Sequence, residues 1–186
     1  MEKEVESRIP KSLITLDGKI TDVMRGLLVG GFAYSEASVI YTTWLHGPGH
    51  LVYDRYTPNA ITWFNRVYYS DQWLREDNLK TWMRYIVHEQ RHRHDVHEKG
   101  GTSFYFSYLR DYVRQKRIFK DEHKAYLNIS WEQKAYEDEG IMLSVMENTD
   151  FLFQWEKILS KTEGFTSGFE IGKQFLAPLL SARKFA

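Results

Sequence analysis

The sequence predicts an α+β domain in which a short N-terminal antiparallel β-sheet packs on a predominantly helical C-terminal part. Two observations carry this. Residues 13–72 hold runs of β-branched and aromatic residues set off by Gly and Pro turn signals, the mark of short strands. From residue 77 onward, apolar residues recur at helical spacing between capping and stopping residues. With 186 residues, no internal repeat and no linker, the chain reads as one domain, 1–186, long enough to bury its own core.

Composition narrows the function classes. Formal net charge is zero, so nothing points to a nucleic-acid footprint. There is no cysteine, which removes disulfides and thiolate metal sites; any metal must use His, Asp or Glu. Twelve Tyr, eleven Phe and six Trp predict a core and rim built on large rings. Residues 1–12 are charged and lack the apolar run of a signal peptide. Residues 27–45 are long enough to raise the question of a membrane span, with Glu36 the single charge. Gly30-Gly31, the polar Ser35-Glu36 and the β-branched second half instead predict two strands joined by a tight turn. The expectation is a cytoplasmic protein with neither membrane nor nucleic acid as partner.

The elements follow in order. Gly-Pro-Gly makes a turn of 46–50, and the flanking His46 and His50 read as polar turn neighbours more readily than as ligands. Residues 60–70 read as one strand, with Asn65 and Arg66 suggesting an edge with one wet side. Asp77 or Asn78 can cap a helix whose apolar set is Leu79, Trp82, Met83, Ile86, Val87 and Val96, stopped by Gly100-Gly101. Thr102 or Ser103 then caps a helix to about Lys116, with Phe104, Tyr105, Tyr108, Leu109, Tyr112 and Val113 as its buried stripe. A charged connection spans 117–127. Ser130 and Gln133 form a capping box opening a helix over 131–147, with Glu132 in its first turn and Tyr136 and Glu139 on the same face. Two scaffold helices close the chain, over 151–159 and 169–185, separated by 164–168.

Chemistry concentrates in His88-Glu89-Gln90-Arg91-His92, in the middle of the first long helix. Histidines four residues apart share a helix face, so both imidazoles can converge on one cation. Glu89 points about 100° around the helix, where it can act on a water at the metal as a general base. The bland alternative is a solvated charged face in a His-rich patch, since His94 and His97 follow.

Beyond that motif, an aromatic helix opens with Gly-Gly-Thr-Ser-Phe-Tyr-Phe-Ser-Tyr-Leu, and a later one with Trp131-Glu132-x-x-Ala135-Tyr136. With these the chain resembles, over roughly 60–139, the small single-domain zinc metallopeptidases of the gluzincin type, which are zincin-like in fold. The resemblance implies Zn²⁺ held by His88, His92 and Glu132, with Glu89 as the base for peptide-bond hydrolysis. It also implies a substrate, peptide or protein, bound extended along the 60–70 strand. An oxyanion donor is then required, and Tyr136, Tyr126 and His123 are the candidates.

The match has departures. Larger gluzincins often carry an acid one turn after the ligand glutamate, where Tyr136 stands here. Metzincins want glycine and histidine where this chain has Asp95 and Glu98. Glu98, Glu137 and Glu139 stay open as alternative third ligands. A rival reading from another class is a non-catalytic component of a larger protein assembly, such as a virion or a secretion apparatus, that retains the zinc site.

Overall fold

The computed structural model describes residues 13–15, 19–34, 40–43, 60–64, 66–69, 78–160 and 164–183. The expected turn at His46 and His50 and the candidate cap Asp77 lie outside these residues. The described chain is mostly helical with one small sheet, as an α+β reading requires. Among the described residues no helix is long and apolar enough to cross a membrane.

The N-terminal part departs from its expected strands. Helix α1, Asp22–Phe32, runs through the first half of the segment read as a strand pair. The Thr21 hydroxyl accepts from the Met24 amide, and Ala33 closes the helix in the left-handed region at φ 56°. Gly26 and Gly30 do not turn the chain; they let another helix touch it. A Cβ on Gly26 would lie 2.0 Å from the Phe165 carbonyl oxygen, and one on Gly168 would lie 1.9 Å from that of Val23. Helix α7, Phe165–Ile171, therefore packs backbone to backbone on α1, and Gly168 sits inside a helix rather than between two.

Among the described residues the sheet has three strands in the order β1 (Ile40–Thr43), β3 (Arg66–Tyr69), β2 (Ala60–Trp63). Strands β2 and β3 are antiparallel, but β1 runs parallel to β3, so the sheet is mixed. The single strand expected over 60–70 is a hairpin. Phe64, at φ 54°, breaks it after Trp63 and sends the chain back as β3.

The helical part follows the predicted order more closely. Helix α2, Leu79–Lys99, is capped by Asn78, whose side chain accepts from the Lys80 and Thr81 amides, and it stops at Gly100 at φ 77°. Its Trp82, Met83, Ile86 and Val87 are fully buried, each worth about 1.5–3 kcal/mol against exposure. Helix α3, Gly101–Phe119, starts directly after Gly100 without a side-chain cap, so neither Thr102 nor Ser103 plays that part. Its buried stripe is narrower than expected: Phe104 is buried, the tyrosines half-buried, and Leu109 and Val113 face out. Part of the charged connection folds as α4, Glu122–Leu127.

Helix α5, Ser130–Val145, lacks the expected capping box. Asp111 of α3 reaches across and accepts from the Ser130 amide at 2.7 Å. Helix α6, Thr149–Ser160, precedes α7, and a π-helical segment, Gly172–Leu176, carries α7 into α8, Ala177–Arg183. The main core joins α1, α2, α5, α6 and the last helices. A second cluster, Val96, Phe104, Ile129 and Trp131 with Tyr105, Tyr108, Tyr112 and Tyr126, lies where α2, α3, α4 and α5 meet.

Candidate metal centre

The two cores bracket the middle of α2, and there the motif residues are buried: His88, Glu89 and His92 keep only 5–6% of their surface. Helix α5 crosses opposite, anchored at its start by Asp111 and by Trp131, whose ring packs on Phe104. That anchoring brings Glu132, 2% exposed, between the two imidazoles. Its carboxylate oxygens lie 3.3 Å from His88 Nε2 and 3.2 Å from His92 Nε2. The available ligand atoms of all three residues fall within 4.8 Å of one another. Ligands on a tetrahedral zinc at 2.0–2.1 Å stand about 3.4 Å apart, so the His–Glu separations match that edge. Two neutral nitrogens and a carboxylate also form a donor set suited to zinc.

The alternative third ligands are placed elsewhere. Glu98 and Glu137 are exposed, outside the cluster. Glu139 is buried on the other side of His88, 3.2 Å from Nδ1, and its second oxygen takes a 2.6 Å ion pair from Arg84. It thus orients the first histidine, the task for which the sequence offered Tyr136 in place of an acid. Its position was legible, since seven residues are nearly two helical turns and put Glu132 and Glu139 on one face. The Nδ1 of His92 is buried and unpartnered among the described residues.

The surroundings shift the titrations strongly. Burial opposes charge on His88, but hydrogen bonds to Glu132 and Glu139 and the fields of Glu89 and Glu132 outweigh it and push the ring up to about 10. Burial would likewise raise Glu132. The charge of His92 and the hydrogen bonds from both histidines instead hold it well below the usual carboxylate range.

Around these residues lie groups in roles that sequence reasoning did not give them, among them Tyr126, a candidate oxyanion donor that instead bonds Glu132. Thr62 of β2 donates to a Glu89 carboxylate oxygen at 2.5 Å, which ties the sheet to the motif helix. Tyr108 and Tyr126 donate to the two oxygens of Glu132. Tyr108 had been legible only as an apolar stripe residue, because nothing in spacing tells which ring tip meets a carboxylate.

Tyr136 sits at the rim, 38% exposed, its ring edge-on to His88 at 4.8 Å. Burial and the charge of Glu132 push its phenol up to about 12 despite a hydrogen bond with Tyr126, so it is a donor at neutral pH. His123 is exposed. Comparison with protein families, curated proteins and solved structures finds no match for this chain.

Proposed function

We propose that this chain is a zinc-dependent metallopeptidase of the zincin type, close in plan to the gluzincins. The observation that supports it best is the convergence of His88 Nε2, His92 Nε2 and Glu132 at 3.2–3.3 Å, with Glu139 orienting the first ring. Those three residues would hold the zinc. Formal charge agrees: Arg84 pairs with Glu139, and a divalent cation would balance the carboxylates of Glu89 and Glu132. When bound, zinc supplies a Lewis acid that polarises a carbonyl and makes water acidic near neutral pH.

The chain's own residues do the rest. Glu89 is the general base, taking a proton from the attacking water and returning it to the leaving amine. The Thr62 hydroxyl fixes that carboxylate beside the histidines. Tyr136, a protonated phenol at the rim against His88, is the donor for the developing oxyanion. The substrate is an extended peptide alongside β2, which is an edge strand of the sheet among the described residues. Its outward backbone is partly taken: the Tyr105 hydroxyl accepts from the Phe64 amide at 2.7 Å and donates to the Thr62 carbonyl at 3.3 Å. A peptide pairing at those groups has to displace that phenol.

The second reading, an assembly component that keeps the zinc without turnover, is favoured by one feature. The outer face of α3 exposes Phe106, Leu109 and Val113 at helical spacing.

One substitution separates the two. Glu89→Gln keeps shape and removes the base, so it should retain zinc and lose about 10²–10⁴ in peptide hydrolysis. Zinc content by elemental analysis and cleavage of a broad peptide library, supplemented with lysate from the native host, give the readouts. Loss of zinc in that variant would make Glu89 a ligand and sink the mechanism. A zinc-loaded wild type that cleaves nothing favours the assembly reading.

A further inference from the structure

Glu132 is held from two sides. On one side are the histidines; on the other, two phenols from different helices. Tyr108 of α3 donates to Oε1 at 2.6 Å, and Tyr126 of α4 donates to Oε2 at 2.7 Å. Oε1 is also the oxygen 3.2 Å from His92 Nε2, and Oε2 the one 3.3 Å from His88 Nε2. Each carboxylate oxygen therefore meets one phenol and one imidazole.

We propose that Tyr108 and Tyr126 are positioning residues that lock Glu132 as a correctly turned ligand and thereby set the affinity of the centre for zinc. This rests on the assignment of His88, His92 and Glu132 as ligands.

The chemistry is that of a carboxylate with about four lone-pair sites. Two are used by phenol O–H donors, and two remain for the imidazole side, where the cation binds. Here each phenol donates its O–H to a different carboxylate oxygen, which fixes the plane in which the carboxylate lies. The rings are themselves held in the cluster of Val96, Phe104, Ile129 and Trp131, so the two hydroxyls are fixed before a metal arrives. Without them, the carboxylate loses the partners that orient it on the side away from the histidines.

The test is zinc affinity, read by competition with a chromogenic chelator, for Tyr108→Phe, Tyr126→Phe and the double variant. Tyr112→Phe is the control, since Tyr112 packs in the same cluster without bonding Glu132. Each clamp variant should bind zinc about 10–100-fold more weakly, and the double variant more weakly still. The visible absorption of the cobalt-substituted protein should shift in the clamp variants and stay unchanged in the control. Melting in chelator reports the metal-free fold, and affinity is measured well below that melting point for every variant. Wild-type affinity in the two single variants overturns the clamp, as does an equal loss in Tyr112→Phe, which would make the effect one of general packing. Failure of the wild type to bind zinc would sink the ligand assignment itself, an outcome distinct from tight zinc binding indifferent to the phenols.

Discussion

Two buried polar clusters lie side by side where α2 meets α5, and they are completed differently. In one, Arg91 Nη1 lies 3.2 Å from Asp138 and its Nε 3.0 Å from Asp95, while the buried Tyr34 hydroxyl donates to the same Asp138 oxygen at 2.7 Å. The chain's own guanidinium supplies a permanent cation there. In the other, Glu132, Glu89 and Glu139 face two imidazoles, whose positive charge depends on an exchangeable proton. The same helix pair thus holds one cluster that folding finishes and one that, as proposed, would take its cation from outside. The motif residue Arg91 serves the first, and its neighbours His88 and His92 serve the second.

The largest expected effect breaks the finished cluster. Arg91→Met leaves Asp95 and Asp138, both nearly buried, without their counter-charge. Removing one partner of a buried pair costs about 3–5 kcal/mol. Urea unfolding should show that loss equally with and without zinc. A loss under about 1 kcal/mol would mean that solvent screens the network and that it does not hold the two helices.

His92→Ala is the complementary experiment. Wild-type protein at a zinc concentration a hundred times its dissociation constant gains about 2.7 kcal/mol over the metal-free form. The variant should gain almost nothing, because two of three ligands do not hold the ion. The quantity compared is the difference between zinc-loaded and chelator-treated melting, so a cost to the metal-free fold cancels. A full zinc-dependent gain in His92→Ala would remove the second cluster's claim to be a metal centre.

What the sequence revealed of these clusters divides along physical lines. The mount of the site was legible because it is local: Asn78, the 3.6-residue pattern and Gly100 act within one helix, and His88 and His92 meet by spacing alone. Helix α1 was hidden because its glycines carry a tertiary meaning, the close approach of α7, which looks like a turn when read along the chain. The hairpin at Phe64 was hidden because an aromatic residue stands where a left-handed conformation usually selects glycine or asparagine. The hydrogen bonds that tie each network to the rest of the fold could not be read beforehand, since Tyr34 and Asp138 are 104 positions apart and Thr62 and Glu89 are 27.

The smallest effect concerns what both clusters share, the placement of α5. Its start is set by Asp111, which accepts from the Ser130 amide in place of the Ser130/Gln133 box that the sequence suggested. Burial works against the Asp111 carboxylate, but hydrogen bonds from Ser130, the charge of Arg114 and a contact from Gln115 hold it below the usual carboxylate range. A carboxyl whose folded value is depressed stabilises the fold above its unfolded value, and that contribution is lost as pH falls through the folded one. Asp111→Ala should therefore cost about 0.5–2 kcal/mol at neutral pH, the range for a lost helix cap, and the gap to wild type should close in acid. Urea titrations of both proteins at neutral pH and again below the ordinary carboxylate range give the comparison. A gap that stays constant with pH would show that Asp111 acts through packing alone. Because α5 carries both Glu132 and Asp138, the variant should weaken zinc binding and the Arg91 network together, whereas His92→Ala and Arg91→Met each touch only one.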